Sequence, residues 1–517
     1  MSRGRAVLFN TLLLTVTSLL MRSVGMMFQV WLSNKIGPAG IGLFQLIMSV
    51  SALASTFSIS GIRFATTRLV SEELGRGNAA GIKVAVRNGM LYALCFGTAA
   101  ALALFFGAEF IGTRWIRDAR TILSLRILAL SLPCFALSAV LAGYFTAVTR
   151  VIKSAAVSIA EQLIRIGVVV AALTLSTGYT LETACAIVVA GGVVGEIASF
   201  VMLYVLYVHD RRRYNSRKAS AQGVMKRLLG IAVPLALSAY ARSALLTLEN
   251  LLVPRGFKKS GASAEKALAD YGIIQGMVFP VITFPSALFY ALAELLVPEL
   301  TDAQVGNRKA EISGIVSRVL YFCLLFAIVI TVAMFAFADA LGMTIYNNAD
   351  VGRYIRILSF LLPAYFMDGV TDGMLRGLGQ HMHSMKFNIL DSILSVLFVY
   401  FLLPRFAMAG YIFVIYFAEL FNFSLSIHRL SVVTRIRLSL RKILMAALSA
   451  VGAVNFSALL LRAARLPLAN TSMSLTLHLT LTAVLYAALL FLTGCVVKGD
   501  LVKFKNMIKS GGLKQSA

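Results

Sequence analysis

Charge is scarce in this sequence. Asp, Glu, Lys and Arg make up 14% of its 517 residues, against about 25% in soluble domains. So few charged side chains cannot cover a water-facing surface, so much of the surface must face lipid. Acidic residues are scarcer still, 22 against 48 Lys and Arg. There are only five cysteines. Cys95, Cys134, Cys185, Cys323 and Cys495 all sit within apolar runs, odd in number and without a CxxC pair. That excludes a disulfide framework and leaves them as small packing residues. No GxxxxGK[ST] occurs, which excludes a P-loop nucleotide pump. HExxH and GxSxG are likewise absent. His381-x-His383 has no Cys or carboxylate close in sequence, so no metal site is expected there. The first apolar run, Ala6 to about Ser33, is too long for a signal peptide and lacks its small-residue cleavage site. It reads as a retained helix.

Hydrophobic residues are abundant, 59% of the chain, with a mean hydropathy of +0.84. A membrane-spanning helix needs about 20 mostly apolar residues. Spans are expected near 6–33, 41–67, 84–112, 122–148, 155–177, 183–208, 226–254 and 267–297. Others follow near 312–339, 352–376, 384–404, 409–431, 442–461 and 475–497. The expected fold class is therefore an all-α membrane protein of about fourteen spans. The formal net charge is +26, which in a soluble chain would suggest nucleic acid. Here the cations lie in short loops between apolar runs, a topology signal, and no nucleic-acid partner is expected. With the N-terminus inside, cytoplasmic loops and tails hold about 29 Lys and Arg and opposite loops about 14. Both termini are thus expected to be cytoplasmic. Arg211, Arg212, Arg213, Arg217, Lys218, Lys226 and Arg227 form the strongest anchor. Lys498, Lys503, Lys505, Lys509 and Lys514 make a basic tail suited to anionic headgroups.

The chain repeats itself. LRILALSLPCFALSAVLAGY (125–144) matches IRILSFLLPAYFMDGVTDGM (355–374) without a gap. Arg126, Ile127, Leu128, Leu132, Pro133, Val140 and Gly143 recur as Arg356, Ile357, Leu358, Leu362, Pro363, Val370 and Gly373. The same shift pairs Ser154 with Ser384 and Glu161 with Asp391. Arg22-Ser23 pairs with Arg242-Ser243, Gln45 with Gln275, and Glu196 with Glu419. Each half has an even number of spans, so both enter the membrane alike, as parallel repeats. The expected domains are a six-helix lobe 1–208, a basic linker 209–225, a second lobe 226–432, two extra helices 433–497 and a tail 498–517.

The stretches 19–46, 248–261, 271–300 and 372–380 (the last DGMLRGLGQ) make the chain resemble the multidrug/oligosaccharidyl-lipid/polysaccharide exporter superfamily. Within it the likeness is greatest to the stage V sporulation protein B branch, which is related to lipid II flippases. The resemblance covers nearly the whole chain in order and length. It implies two pseudo-symmetric six-helix lobes around a central cavity, plus two C-terminal helices. It also implies export of lipid-linked saccharide precursors by alternating access, in a bacterial cytoplasmic membrane. In the flippases an arginine of the first helix sits where Arg22 stands in MRSVG. Their Arg–Asp pair is replaced here by Met26, Met27 and Phe28.

A charge at mid-bilayer costs about 2.5–3.5 kcal/mol on insertion scales, so intramembrane charges face a cavity or a partner. Arg22, Arg63 and Arg242 are expected to bind substrate, because a planar, permanently charged guanidinium fits phosphate oxygens. Asp368, Asp372, Glu249, Asp391 and Glu419 are candidates for ion coupling. Asp368 and Asp372 are four apart on one helix face, and close carboxylates raise each other's proton affinity. They would bind H⁺ or Na⁺, or else pair with Arg356 or Arg376. Glu161 and Arg165, also four apart, are expected to form a structural pair. Pro280 and Pro285 are candidate hinges, or fixed kinks.

The resemblance, taken with these residues, implies an expected flippase of polyprenyl-diphosphate-linked oligosaccharide or peptidoglycan precursors, and the resemblance alone implies its use in cell-wall, spore-cortex or polysaccharide synthesis. It would be a monomer with no cofactor, and its partners would be the lipid-linked substrate, membrane lipids and cell-wall synthesis proteins. The competing readings are a cation-coupled multidrug exporter of the same fold and a non-transporting envelope-assembly scaffold. An enzyme such as a polyprenyl transferase is not expected. It would need clustered aspartates for a metal-diphosphate, and only Asp368-x-x-x-Asp372 approaches that.

Overall fold

A computed structural model describes residues 3–59, 61–176, 178–211, 223–436, 439–463, 472–497 and 499. Residues 212–222 of the expected basic linker (209–225), and the expected basic tail apart from residue 499, lie outside the described residues. All regular elements among the described residues are helical, as a lipid environment requires, because a helix satisfies its own backbone polar groups. The chain begins with α1 (Arg3–Ile59), α2 (Ile62–Gly75), α3 (Ala79–Phe110), α4 (Ile122–Ala129) and α5 (Leu132–Ala147). It continues with α6 (Val151–Leu175), α7 (Leu181–Asp210), α8 (Val224–Lys259), α9 (Ala264–Gly272) and α10 (Phe279–Thr283). Then come α11 (Ala287–Val305), α12 (Lys309–Ala336), α13 (Ala338–Tyr346) and α14 (Ala349–Leu358). The last are α15 (Leu362–Gly377), α16 (His381–Val433), α17 (Leu440–Ala463) and α18 (Ser472–Leu492).

Ten helices among the described residues are long and apolar enough to cross a membrane, or eleven if the bent pair α4–α5 counts as one span. The expected number was about fourteen. The difference lies where spans join or break. α1 and α16 are 57 and 53 residues long, more than twice what one crossing needs. α1 breaks at Gly37, with φ 73° and ψ 174°, just before Pro38. α16 breaks at Ala407, with φ 46° and ψ −126°, three residues past Pro404.

The matched motif does the same thing in both repeats. α4 ends at Ala129 and α5 starts with Pro133 in its first turn, bent by 45°. α14 ends at Leu358, a 3₁₀ turn covers Ser359–Leu361, and α15 starts with Pro363 in its first turn. Proline belongs there because its missing N–H is already unsatisfied at a helix start. Ser131 Oγ donates to the Leu128 carbonyl and Ser359 Oγ to the Arg356 carbonyl, both at 2.8 Å.

The residues form two compact units, and their boundaries differ from the expected lobes. One holds 39–258 and 262–269; the other holds 1–38, 259–261 and 270–517. The first half of α1 thus groups with the second repeat, and α8 with the first. The break at Gly37 lets the two halves of α1 pack in different units. In the 39–258 unit, Thr247 Oγ1 donates to the Ser49 carbonyl at 3.0 Å, and the Phe57 and Tyr240 rings stack at 4.2 Å. At the other end of α8, Arg227 bonds Glu72 and Glu73. In the 270–517 unit, Asn34 Nδ2 donates to the Ile345 carbonyl at 2.9 Å.

Inside the 39–258 unit the core is built on Ile62, Leu69, Val140, Tyr144 and Phe145. Gly143 lets α5 close on α2: a Cβ there would stand 2.7 Å from the Arg63 carbonyl oxygen. Buried Asp210 takes an ion pair from Arg150, another from Lys153 at 3.3 Å, and the Tyr144 hydroxyl at 2.9 Å. Inside the 270–517 unit, Gly373 and Gly377 seat α15 on Ala293 and Val297 of α11. The terminal pair α17–α18 packs on α12 through Leu325, Ala446, Ala450, Ala453 and Tyr486.

Candidate functional site

Two groups of polar side chains are gathered inside the 270–517 unit. The first surrounds a break in the chain between α9 and α11. Residues Ile273–Val278 widen into a π-helical turn, α10 follows with Pro280 in its first turn, and Phe284–Ser286 tighten into a 3₁₀ turn holding Pro285. The expected single helix 267–297 is therefore interrupted twice. The prolines remove backbone donors, and irregular helix of this kind is tolerated in membranes where other groups re-satisfy the backbone. α1 supplies such groups. Gln29 Nε2 donates to the Gly276 carbonyl at 3.2 Å, and Arg22 Nη2 donates to Ser286 Oγ at 3.4 Å. Gln275 Nε2 donates to the Tyr411 hydroxyl at 2.8 Å. The candidate substrate arginine thus touches the turn made by the candidate hinge proline.

The second group lies on α15 and α16. Asp368 is 9% exposed, and its Oδ2 accepts from Asn422 Nδ2 at 3.1 Å. The same amide approaches Asn388 Oδ1 at 3.4 Å. Asp368 Oδ1 is buried without a hydrogen-bond partner. Asp372, Asp391 and Glu419 are all near enough for their charges to act on one another or on Asp368. Among the described residues no Lys or Arg pairs with Asp368, Asp372 or Glu419. Arg356, an expected alternative partner, instead bonds Asp339 at 2.5 Å. Nor do three His, Cys, Asp or Glu side chains converge on a metal-sized site among the described residues. A small cation bound here would therefore take amide and hydroxyl oxygens along with carboxylates, and a proton would need only one carboxylate.

The other expected site residues lie in the 39–258 unit. Arg63, on the first turn of α2, and Arg242, in the middle of α8, are both exposed. Glu249 is half-buried on α8. The first repeat has its own acidic pair, Glu161 and Glu196. Glu161 lies within reach of Ser199 and, like Glu196, feels the charge of Arg165. The expected ion pair between Glu161 and Arg165 does not form among the described residues, and Arg165 Nε is buried without a hydrogen-bond partner. Helical spacing put the two on one face, but the carboxylate also lies within reach of Ser199 on α7. Asn388, Asn422 and Ser286 were not anticipated. The signal for the asparagines was present: Ser384, Asn388 and Asp391 on one run, and Glu419, Asn422 and Ser426 on the next, recur at helical spacing along otherwise apolar segments.

Residues 7–304 match the family described as polysaccharide biosynthesis protein, and residues 260–401 match the MatE family. Stage V sporulation protein B of Bacillus subtilis is 24% identical over 402 residues, covering 77% of each chain. Sporulation protein YkvU of the same organism is 19% identical, over 75% of this chain and 86% of its own. Among solved structures, lipid II flippase MurJ in an inward closed conformation superposes with a TM-score of 0.69 at 12% identity, covering 92% of this chain and 98% of that one. An inward-facing multidrug resistance MATE transporter superposes with a TM-score of 0.61 at 15% identity, over 81% and 98%. At these identities the superpositions establish a shared fold.

Proposed function

The chain belongs to the polysaccharide biosynthesis protein family, and on that premise we propose that it is a flippase of polyprenyl-diphosphate-linked saccharide precursors. It works in the bacterial cytoplasmic membrane, with both termini in the cytoplasm. The observation that carries the reading is Arg22, a permanent charge within an apolar helix, reaching Ser286 in the turn after Pro285. A diphosphate offers a guanidinium stronger, charge-assisted hydrogen bonds than a serine hydroxyl does. Substrate would draw Arg22 off Ser286 and free the proline-broken segment to bend. Arg63 and Arg242, in the 39–258 unit, are further candidates for cationic contacts with substrate. The likeness to stage V sporulation protein B and to a lipid II flippase supports a lipid-linked peptidoglycan precursor as cargo.

The resetting step is driven by H⁺ or Na⁺ at Asp368. Its unpartnered buried oxygen, its amide neighbours and the absence of a pairing cation among the described residues support that role. The test is transbilayer movement of a lipid-linked saccharide in vesicles containing the purified protein, read by an externally added sugar-modifying enzyme. Equilibration across the two leaflets is expected. A fraction that stays protected for several such lipids, under both H⁺ and Na⁺ gradients, would overturn the reading.

A further inference from the structure

An apolar groove of about 380 Å³ runs between the second half of α1 and α3, inside the 39–258 unit. Leu53, Phe57, Phe96, Ala100, Ala103 and Trp115 line it. The alanines lower its floor, and the aromatic residues form its rim, with Phe57 43%, Phe96 39% and Trp115 41% exposed. Both walls belong to segments apolar enough to span a membrane. Apart from the Trp115 indole N–H, the side chains of this lining offer a saccharide or other polar ligand no hydrogen-bonding partner, and it would lose its hydration on entry. A hydrocarbon chain loses nothing.

The end of the groove at Trp115 is basic. The π-helical turn Ile111–Ile116 closes on Arg117, which has a φ of 61°. Arg255 of α8 donates to the Arg114 carbonyl at 2.9 Å and to the Trp115 carbonyl, and lies close enough to Arg117 for the two cations to repel. Its Nε is buried without a hydrogen-bond partner. The nearby acid is already engaged: Asp118 accepts from Arg120 Nε at 2.9 Å and from Nη2 at 2.6 Å. Burial would push that carboxyl up, but the side-chain and backbone hydrogen bonds from Arg120 outweigh it and hold it below the ordinary range. Among the described residues, Arg114, Arg117 and Arg255 have no ion-pair partner. Arg117 and Arg255 stand together at the mouth of the apolar groove, with Arg114 beside Trp115 on the same exposed turn, and unpaired cations there call for an anion attached to a hydrocarbon chain.

We propose that this groove and the Arg114–Arg117–Arg255 cluster bind one anionic phospholipid of the surrounding bilayer, an acyl chain lying against Ala100 and Ala103 and the phosphate at the arginines. None of the lining or cluster residues is among those assigned to transport, and the site does not depend on which lipid is moved.

Trp31 and Trp115 are the two tryptophans of the chain, so Trp31→Phe makes Trp115 a sole reporter at the groove mouth. The protein is reconstituted in phosphatidylcholine vesicles with rising fractions of brominated-chain phosphatidylglycerol or brominated-chain phosphatidylcholine. Bromine quenches Trp115 only on contact. One basic side chain at an anionic surface is worth roughly a five-fold preference, so phosphatidylglycerol should quench at several-fold lower mole fraction. Arg114→Gln/Arg117→Gln, at exposed positions, should bring the ratio close to unity. Ala103→Phe should lower maximal quenching by both lipids. Equal quenching by the two lipids before the arginines are changed would overturn the proposal. So would displacement of the quencher by a polyprenyl phosphate but not by unbrominated phosphatidylglycerol, which would assign the groove to the transported substrate.

Discussion

Asp368 is buried with one carboxylate oxygen bonded to Asn422 and the other unpartnered, an arrangement that stability alone does not favour. Asp368→Asn keeps the shape and removes the charge. It should leave the thermal unfolding midpoint unchanged or higher, while movement of substrate no longer responds to an imposed H⁺ or Na⁺ gradient. A lowered midpoint with gradient response intact would remove Asp368 from coupling. Asn422→Ala takes away the donor and should cost about 1–3 kcal/mol, the penalty of a buried group left unsatisfied, measurable by unfolding in detergent. The acids were legible in the sequence because charge stands out against an apolar background. The asparagines that organise them were less so, since an amide within a span carries no charge to draw attention. The opposite error occurred at Glu161 and Arg165, where helical spacing put two charges on one face but no ion pair forms among the described residues, and Ser199, distant in sequence, lies within reach of the carboxylate.

At the scale of elements, apolar length located most of the spans well. The expected 155–177 is Val151–Leu175 and the expected 442–461 is Leu440–Ala463. Breaks inside spans were harder to place. Hydropathy is continuous across 122–148, yet the backbone bends by 45° there, and 267–297 reads as one apolar run although π and 3₁₀ turns divide it. Proline marked both places, but a proline does not reveal whether its helix kinks, changes type or ends. Gly37 holds a φ of 73° with a ψ of 174°, a region open essentially to glycine alone that costs other residues about 1–3 kcal/mol. Gly37→Ala should lose about that much stability, and a full loss of folding would mean the break carries more than local strain. Pro285→Ala restores a backbone donor to the turn that Ser286 presents to Arg22. It should slow substrate movement without lowering the unfolding midpoint, as a hinge requires; unchanged rates would make Pro285 a fixed kink.

At the scale of the whole molecule, the repeat was readable from LRILALSLP and its copy at 355, and the family from 19–46, 248–261, 271–300 and 372–380. The partition into compact units was not. Chain order assigns 1–38 to the first repeat, whereas Arg22, Gln29 and Asn34 bond within the 270–517 unit. Side-chain contacts across 247 to 311 residues of sequence leave no periodicity to read. Arg22 and Arg242, equivalent by repeat, therefore sit in different units from those their sequence positions suggested. Their role is the central claim. The direct measurement is the rate of movement of a lipid-linked saccharide in vesicles carrying the Arg22→Ala/Arg242→Ala protein, beside the unsubstituted protein, with folding checked by the thermal midpoint of each. The account predicts that movement falls to the protein-free background while the midpoint is retained. Full movement by the double variant would contradict it and would favour a cation-coupled exporter of the same fold, for which these arginines are dispensable.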